Sequence, residues 1–97
     1  MTAIKVAHKG RRHIILITGH SQFADAGKDI VCAATSMLSY TLANNLIADY
    51  GADVKVGDGT MVIDVRGGRN VRCIIDAIMV GYDMLAKSYP TNVRVNR

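Results

Sequence analysis

From Ile30 to Ala48 the chain carries no charged residue, yet its apolar side chains recur at helix spacing: Ile30 and Val31, Ala34, Met37 and Leu38, Leu42, Leu46. Asp29 in front and Gly51 behind read as the N-cap and the left-handed C-terminal stop of one helix, from Asp29 to about Tyr50. Thr35, Ser36, Ser39, Tyr40, Thr41, Asn44 and Asn45 make this helix too polar to span a bilayer. A helix with no charged face is also poorly suited to lie between a sheet and water. One side is therefore expected on the core of its own domain and the other against a second copy, giving a homodimer with no membrane contact.

Strand patterns surround this helix. Residues 4–6 and 12–18 read as two strands joined by a turn through Lys9 and Gly10, the second apolar on both sides and so expected to be central and covered on both faces. Val54 to Val56 and Met61 to Arg66 flank Gly57-Asp58-Gly59, a hairpin signal. A second helix is expected from about Asn70 to Tyr89, burying Val71, Ile74, Ile75, Ile78, Tyr82, Leu85 and Tyr89, with Pro90 as its stop. The closing NVRVNR alternates like an edge strand. The sum is ββαββαβ, an α+β two-layer sandwich with a mixed sheet of about five strands and two helices packed on it. With 97 residues there is room for one core, so residues 1–97 are expected to form a single domain.

The N-terminal MTAIKVAHKGRRH scatters its charges and has no apolar run of export-signal length, which points to the cytoplasm. There Cys32 and Cys73 are expected to be free thiols, and neither a metal nor a cofactor is expected. Every acidic residue is Asp, the formal charge is +4, and the cations gather at Lys9 to Arg12, Arg66 to Arg72 and the C-terminus. They read as solvated turns and strand ends; no stacking aromatics are interleaved, so a nucleic-acid surface is possible but not favoured. If the chain were instead a non-enzymatic basic dimer binding RNA or the ribosome, Arg11, Arg12, Arg66, Arg69 and Arg72 would be its phosphate contacts.

Chemistry concentrates in "GHSQFADAGKDIVCAATS", residues 19–36. With Asp29 as N-cap, Cys32 is the third helical residue, where unpaired backbone amides and the helix dipole favour a thiolate. His20 closes the preceding strand at the same sheet edge, within reach as a base. Gly19 permits a tight exit and Gly27 the turn into the helix, while Ser21, Gln22, Phe23, Ala24, Asp25 and Ala26 form a short substrate loop or lid. Amides of the first turn, that of Cys32 included, are expected to hold an oxyanion. The plainer reading makes Cys32 a small core residue, and Asp29 is a helix cap sooner than a third catalytic member. Cys73 is read as core, and His8 and His13 are assigned no role.

The same stretch resembles the signature of the ribosomal-processing cysteine protease family: Gly-His, a short variable loop, Gly, any residue, then Asp-Ile-Val-Cys-Ala and a helix of small residues. The two-strand start, the Asp-Gly hairpin and the C-terminal NVRV extend the likeness over nearly the whole chain. The resemblance implies a cytoplasmic, homodimeric endopeptidase that removes the N-terminal extension of a large-subunit ribosomal protein, with His20 and Cys32 as a catalytic dyad. Gly19, Gly27 and Asp29 also match, while Ser21 replaces a usual Ala and Thr35 a usual apolar residue. Members of the family lean acidic, which suits a basic substrate, whereas this chain is basic. A prophage-encoded relative that processes capsid or scaffold proteins is therefore the alternative.

Overall fold

The computed structural model describes residues 1–20, 24 and 29–97. Two strands come first, β1 (Thr2–Lys9) and β2 (Arg12–Thr18), followed by helix α1 (Ile30–Tyr50), the hairpin β3 (Asp53–Gly57) and β4 (Thr60–Arg66), helix α2 (Arg69–Ser88) and β5 (Val93–Asn96). The order is the expected ββαββαβ. In space the strands lie β3-β4-β2-β1-β5, with β5 parallel to β1 and every other pair antiparallel, so the sheet is mixed. β2 is central and β5 is an edge.

The register explains the core. Ile4 faces Ile17, Val6 faces Ile15, and across β2 Ile63 and Met61 face Ile15 and Ile17, so alternate residues of three strands make one apolar face. Both helices pack there, through Val31, Leu42, Ala43 and Leu46 of α1 and Val71, Ile75, Met79 and Tyr82 of α2. Each fully buried Ile or Leu contributes about 1.5–3 kcal/mol. Met79, one turn beyond Ile75, completes a stripe that the sequence reading left incomplete. Gly81 lies mid-helix, at a cost of about 1 kcal/mol against Ala, because a Cβ there would stand 2.8 Å from Leu38 Cδ2. Its absence sets how closely the helices approach.

Four expectations need correction. β2 is covered on one face: His13, Ile15 and Ile17 are buried, but Ile14, Leu16 and Thr18 are only half-buried on the open side. The two helices share one layer, so no described element reaches the second face. Cys73 is exposed rather than core, since it stands about 200° around α2 from Val71. His8 and His13 do have neighbours: their Nδ1 atoms are 2.7 Å apart, and buried His13 places Nε2 2.9 Å from the carbonyl oxygen of Gly67. A carbonyl only accepts, so His13 donates from Nε2 and its Nδ1 accepts from His8. The pair ties the β1–β2 hairpin to the start of α2. Finally, α1 has the length and apolar content to cross a membrane, though one side of it is buried in this protein core.

The polar residues of α1 are satisfied where they stand. The Thr35 hydroxyl donates to the carbonyls of Val31 (3.1 Å) and Cys32 (3.0 Å), so threonine fits where the family usually has an apolar residue. Ser39 donates to Thr35 O at 2.7 Å, so the hydroxyl of Tyr82, 2.6 Å away, must donate to Ser39 Oγ. Burial pushes the Tyr82 phenol up to about 12.

Candidate active site

β2 delivers His20 to the sheet edge through Gly19. The φ of +87° at Gly19 suits glycine, and any Cβ would run into the carbonyl oxygen of Met1. Gly19 N–H donates to Gly59 O at 2.7 Å, locking the strand exit to the β3–β4 turn. Because Thr18 pairs with Thr60, that turn stands beside His20. The imidazole lies over Gly59, and its Nε2 is 3.9 Å from Asp58 Oδ1, too far for a hydrogen bond. Both side chains are exposed.

Cys32 arrives from the other direction. Asp29 caps α1 with extended backbone angles, and its Oδ1 accepts from Cys32 N–H at 2.8 Å. That makes Asp29 the cap the sequence favoured and puts the half-buried Cys32 in the first turn, at the helix's positive pole. It also corrects one expectation: the Cys32 amide is engaged by Asp29 and does not point at an oxyanion position in this conformation.

His20 and Cys32 line one cleft of about 180 Å³, walled by Ser36 and Tyr40 of α1 and by Val56 and Met61 of the hairpin. Among the described residues no Lys or Arg lines it. The sequence reading missed the hairpin as a wall, although the Gly57-Asp58-Gly59 turn follows from the same register that orders the sheet. Of the loop, Ala24 is exposed; Ser21, Gln22, Phe23, Asp25, Ala26 and Gly27 lie outside the described residues. Among the described residues no three His, Cys, Asp or Glu side chains converge as a metal site would require.

A thiol at a helix start and an imidazole lining one partly apolar cleft are the groups that can attack an acyl carbon and shuttle one proton. Comparisons with known proteins identify the family. The model of the family described as cysteine protease Prp matches residues 1–94. The ribosomal processing cysteine protease Prp of Bacillus subtilis (strain 168) is 26% identical over 89 residues, covering 81% of this chain and 80% of that protein. The crystal structure of Prp from S. aureus with a covalently linked product peptide matches with a TM-score of 0.89 at 21% identity, over 99% of this chain and 98% of that one. SMU.848 from Streptococcus mutans matches with a TM-score of 0.75 at 29% identity, over 99% and 92%.

Proposed function

Since this chain belongs to the cysteine protease Prp family, we propose that it is the endopeptidase that removes an N-terminal segment from a ribosomal protein, with Cys32 as nucleophile and His20 as base. The observation that carries the reading is the shared cleft, reached by His20 from β2 and by Cys32 from α1. His20 takes the proton from Cys32, and the thiolate adds to the scissile carbonyl carbon. The tetrahedral adduct then collapses as the C–N bond breaks and His20 hands the proton to the leaving amine. A water, deprotonated by His20, hydrolyses the thioester and restores the thiol. No step calls for a cofactor.

Charge placement supports a basic ribosomal substrate despite the net +4. Among the described residues no cation lines the cleft, while Asp29 and Asp58 stand at its edge and most of the arginines lie at the far end of the sheet. The reason for turning to a phage structural protein, like-charge repulsion, therefore loses its force at the site itself. A substrate of this kind places the enzyme in the cytoplasm. The outward side of α1, with Met37 69%, Tyr40 47% and Ile47 45% exposed and no charge, supports the homodimer.

The test is mass spectrometry of N-terminally extended ribosomal proteins incubated with wild type and with Cys32→Ser. One N-terminal cut by the wild type and none by the variant is expected. Equal cutting by both, or no cut in any extended ribosomal protein, would overturn the reading.

A further inference from the structure

At the end of the sheet opposite the cleft, the β1–β2 turn, the end of β4, the start of α2 and the end of α1 meet. Seven residues of β2 separate this end from His20, roughly 20 Å. We infer that this end is a second binding surface, one that takes a single strand of nucleic acid, with Arg11, Arg66 and Arg69 on its phosphates and Tyr50 under a base.

Of the five arginines in the two basic segments, Arg11, Arg12, Arg66, Arg69 and Arg72, two are paired among the described residues and three are not. Arg12 is held by Asp64 through two bonds, of 3.2 and 2.8 Å, and Arg72 by Asp76 at 3.4 Å. Arg11, Arg66 and Arg69 are exposed and form no ion pair with the described residues. All three line one cleft of about 380 Å³, together with Tyr50, Gly68 and Asn70. Arg11 is held in place there: its carbonyl accepts from Gly67 N–H at 2.9 Å, and its guanidinium lies so close over Gly68 that a Cβ would stand 2.8 Å from Nη1. Asp64 lies within electrostatic reach of Arg66, but among the described residues no carboxylate lines the cleft itself; like charges gathered there repel one another, and a polyanion relieves that repulsion.

One feature favours nucleic acid over an acidic protein, with whose carboxylates guanidinium groups pair as readily as with phosphates. Tyr50, half-buried against the core and also lining the cleft, offers the aromatic face on which a base stacks. The arginine segments have no aromatic neighbour in sequence; the fold supplies one from the last residue of α1. The first turn of α2, free of acidic residues and of a side-chain cap, adds its dipole to the same positive field. This surface is separate from the cleft and its role does not depend on the cleavage reaction.

The test is fluorescence anisotropy of a labelled single-stranded RNA of twelve nucleotides against the full chain. At about 50 mM salt, binding is expected with a log–log salt slope of about −2, as for three phosphates on a single strand. R11Q/R66Q/R69Q should lose at least about tenfold in affinity and flatten the slope, the matching lysine variant should retain most of both, and peptide cleavage should be unchanged in each. Tyr50→Leu should weaken binding about fivefold or more at an unchanged slope, while Tyr50→Phe keeps it. No binding at that salt, wild-type affinity in the triple glutamine variant, or equal competition by polyaspartate at matched charge would overturn the inference. Loss of cleavage in Cys32→Ser with RNA binding intact would separate the two sites.

Discussion

The imidazole of His20 rests against the Cα of Gly59, so close that a Cβ there would stand 3.1 Å from Nε2. Gly59 also holds φ at +66°, a left-handed conformation that costs another residue about 1 kcal/mol or more. Gly59→Ala is expected to push the ring away from Cys32 while leaving the hairpin folded. A displacement near 1 Å can cost about a hundredfold in rate. Peptide-cleavage kinetics should therefore show kcat/KM falling by one to two orders of magnitude, with a melting temperature lowered only slightly; wild-type kinetics would mean that the ring is not placed by this contact.

Exposure and reactivity pull in opposite directions for the two thiols. Cys73 is exposed and Cys32 only half-buried, so access alone would have iodoacetamide label Cys73 first. If Cys32 is the nucleophile and His20 its base, as proposed, Cys32 is nonetheless the more reactive of the two thiols. At mildly acidic pH, peptide mapping should find Cys32 alkylated faster, and His20→Ala should reverse the order. Faster labelling of Cys73 in the wild type would remove the case for an activated nucleophile.

Local signals made much of this molecule legible, and distant partners hid the rest. Asp29, Gly51 and the Asp58-Gly59 turn act within a few residues of themselves, so the helix cap, the helix stop and the hairpin could be read directly. The cap also placed Cys32 in the right turn. His13 could not be read, because the carbonyl it bonds belongs to Gly67, 54 residues on. Tyr50 likewise joins the arginines only through the fold. The open face of β2 escaped because apolar alternation cannot say how many layers cover a strand. Cys73 was legible and misjudged: counting 100° per residue from Val71 puts it on the outer side of α2.

The hydroxyl chain from Tyr82 to Ser39 to Thr35 O links the two helices inside the core. Ser39→Ala strands a buried phenol hydroxyl and is expected to cost about 1–3 kcal/mol. Tyr82→Phe leaves Ser39 still bonded to Thr35 and should cost about 1 kcal/mol. In urea denaturation the double variant should lose less than the sum of the two, because the stranded hydroxyl is gone. Strict additivity would show that the two groups do not interact.

His8 is held below its ordinary value of 6.5 by burial first, then by Arg72 and His13, with Asp76 opposing. Between that lowered value and 6.5 the unfolded chain binds more protons than the folded one, so stability is complete above 6.5 and is lost as pH falls. Asp64, whose carboxyl Arg12 holds below 3.8 chiefly by hydrogen bonding, contributes only further down. Urea midpoints should therefore rise from about pH 5 to about pH 7.5, and His8→Gln should flatten that rise. A wild-type midpoint independent of pH over this range would refute it.

Met37 stands 69% exposed in the middle of the uncharged outer side of α1, with Val80 and Met84 of α2 also exposed, at 57% and 66%. These side chains contribute little to the core, so a charge at Met37 leaves the folded protomer nearly untouched. If a second copy covers this side, the same charge is buried twice across a two-fold axis, opposite its own image. Removing two unpaired charges from water costs several kcal/mol, enough to dissociate a micromolar dimer. Sedimentation equilibrium should find wild type as a dimer and Met37→Lys as a monomer with an unchanged urea midpoint at low protein concentration. A Met37→Lys protein that remains dimeric would place the interface elsewhere, with the open face of the sheet around Ile14 and Leu16 the next surface to test.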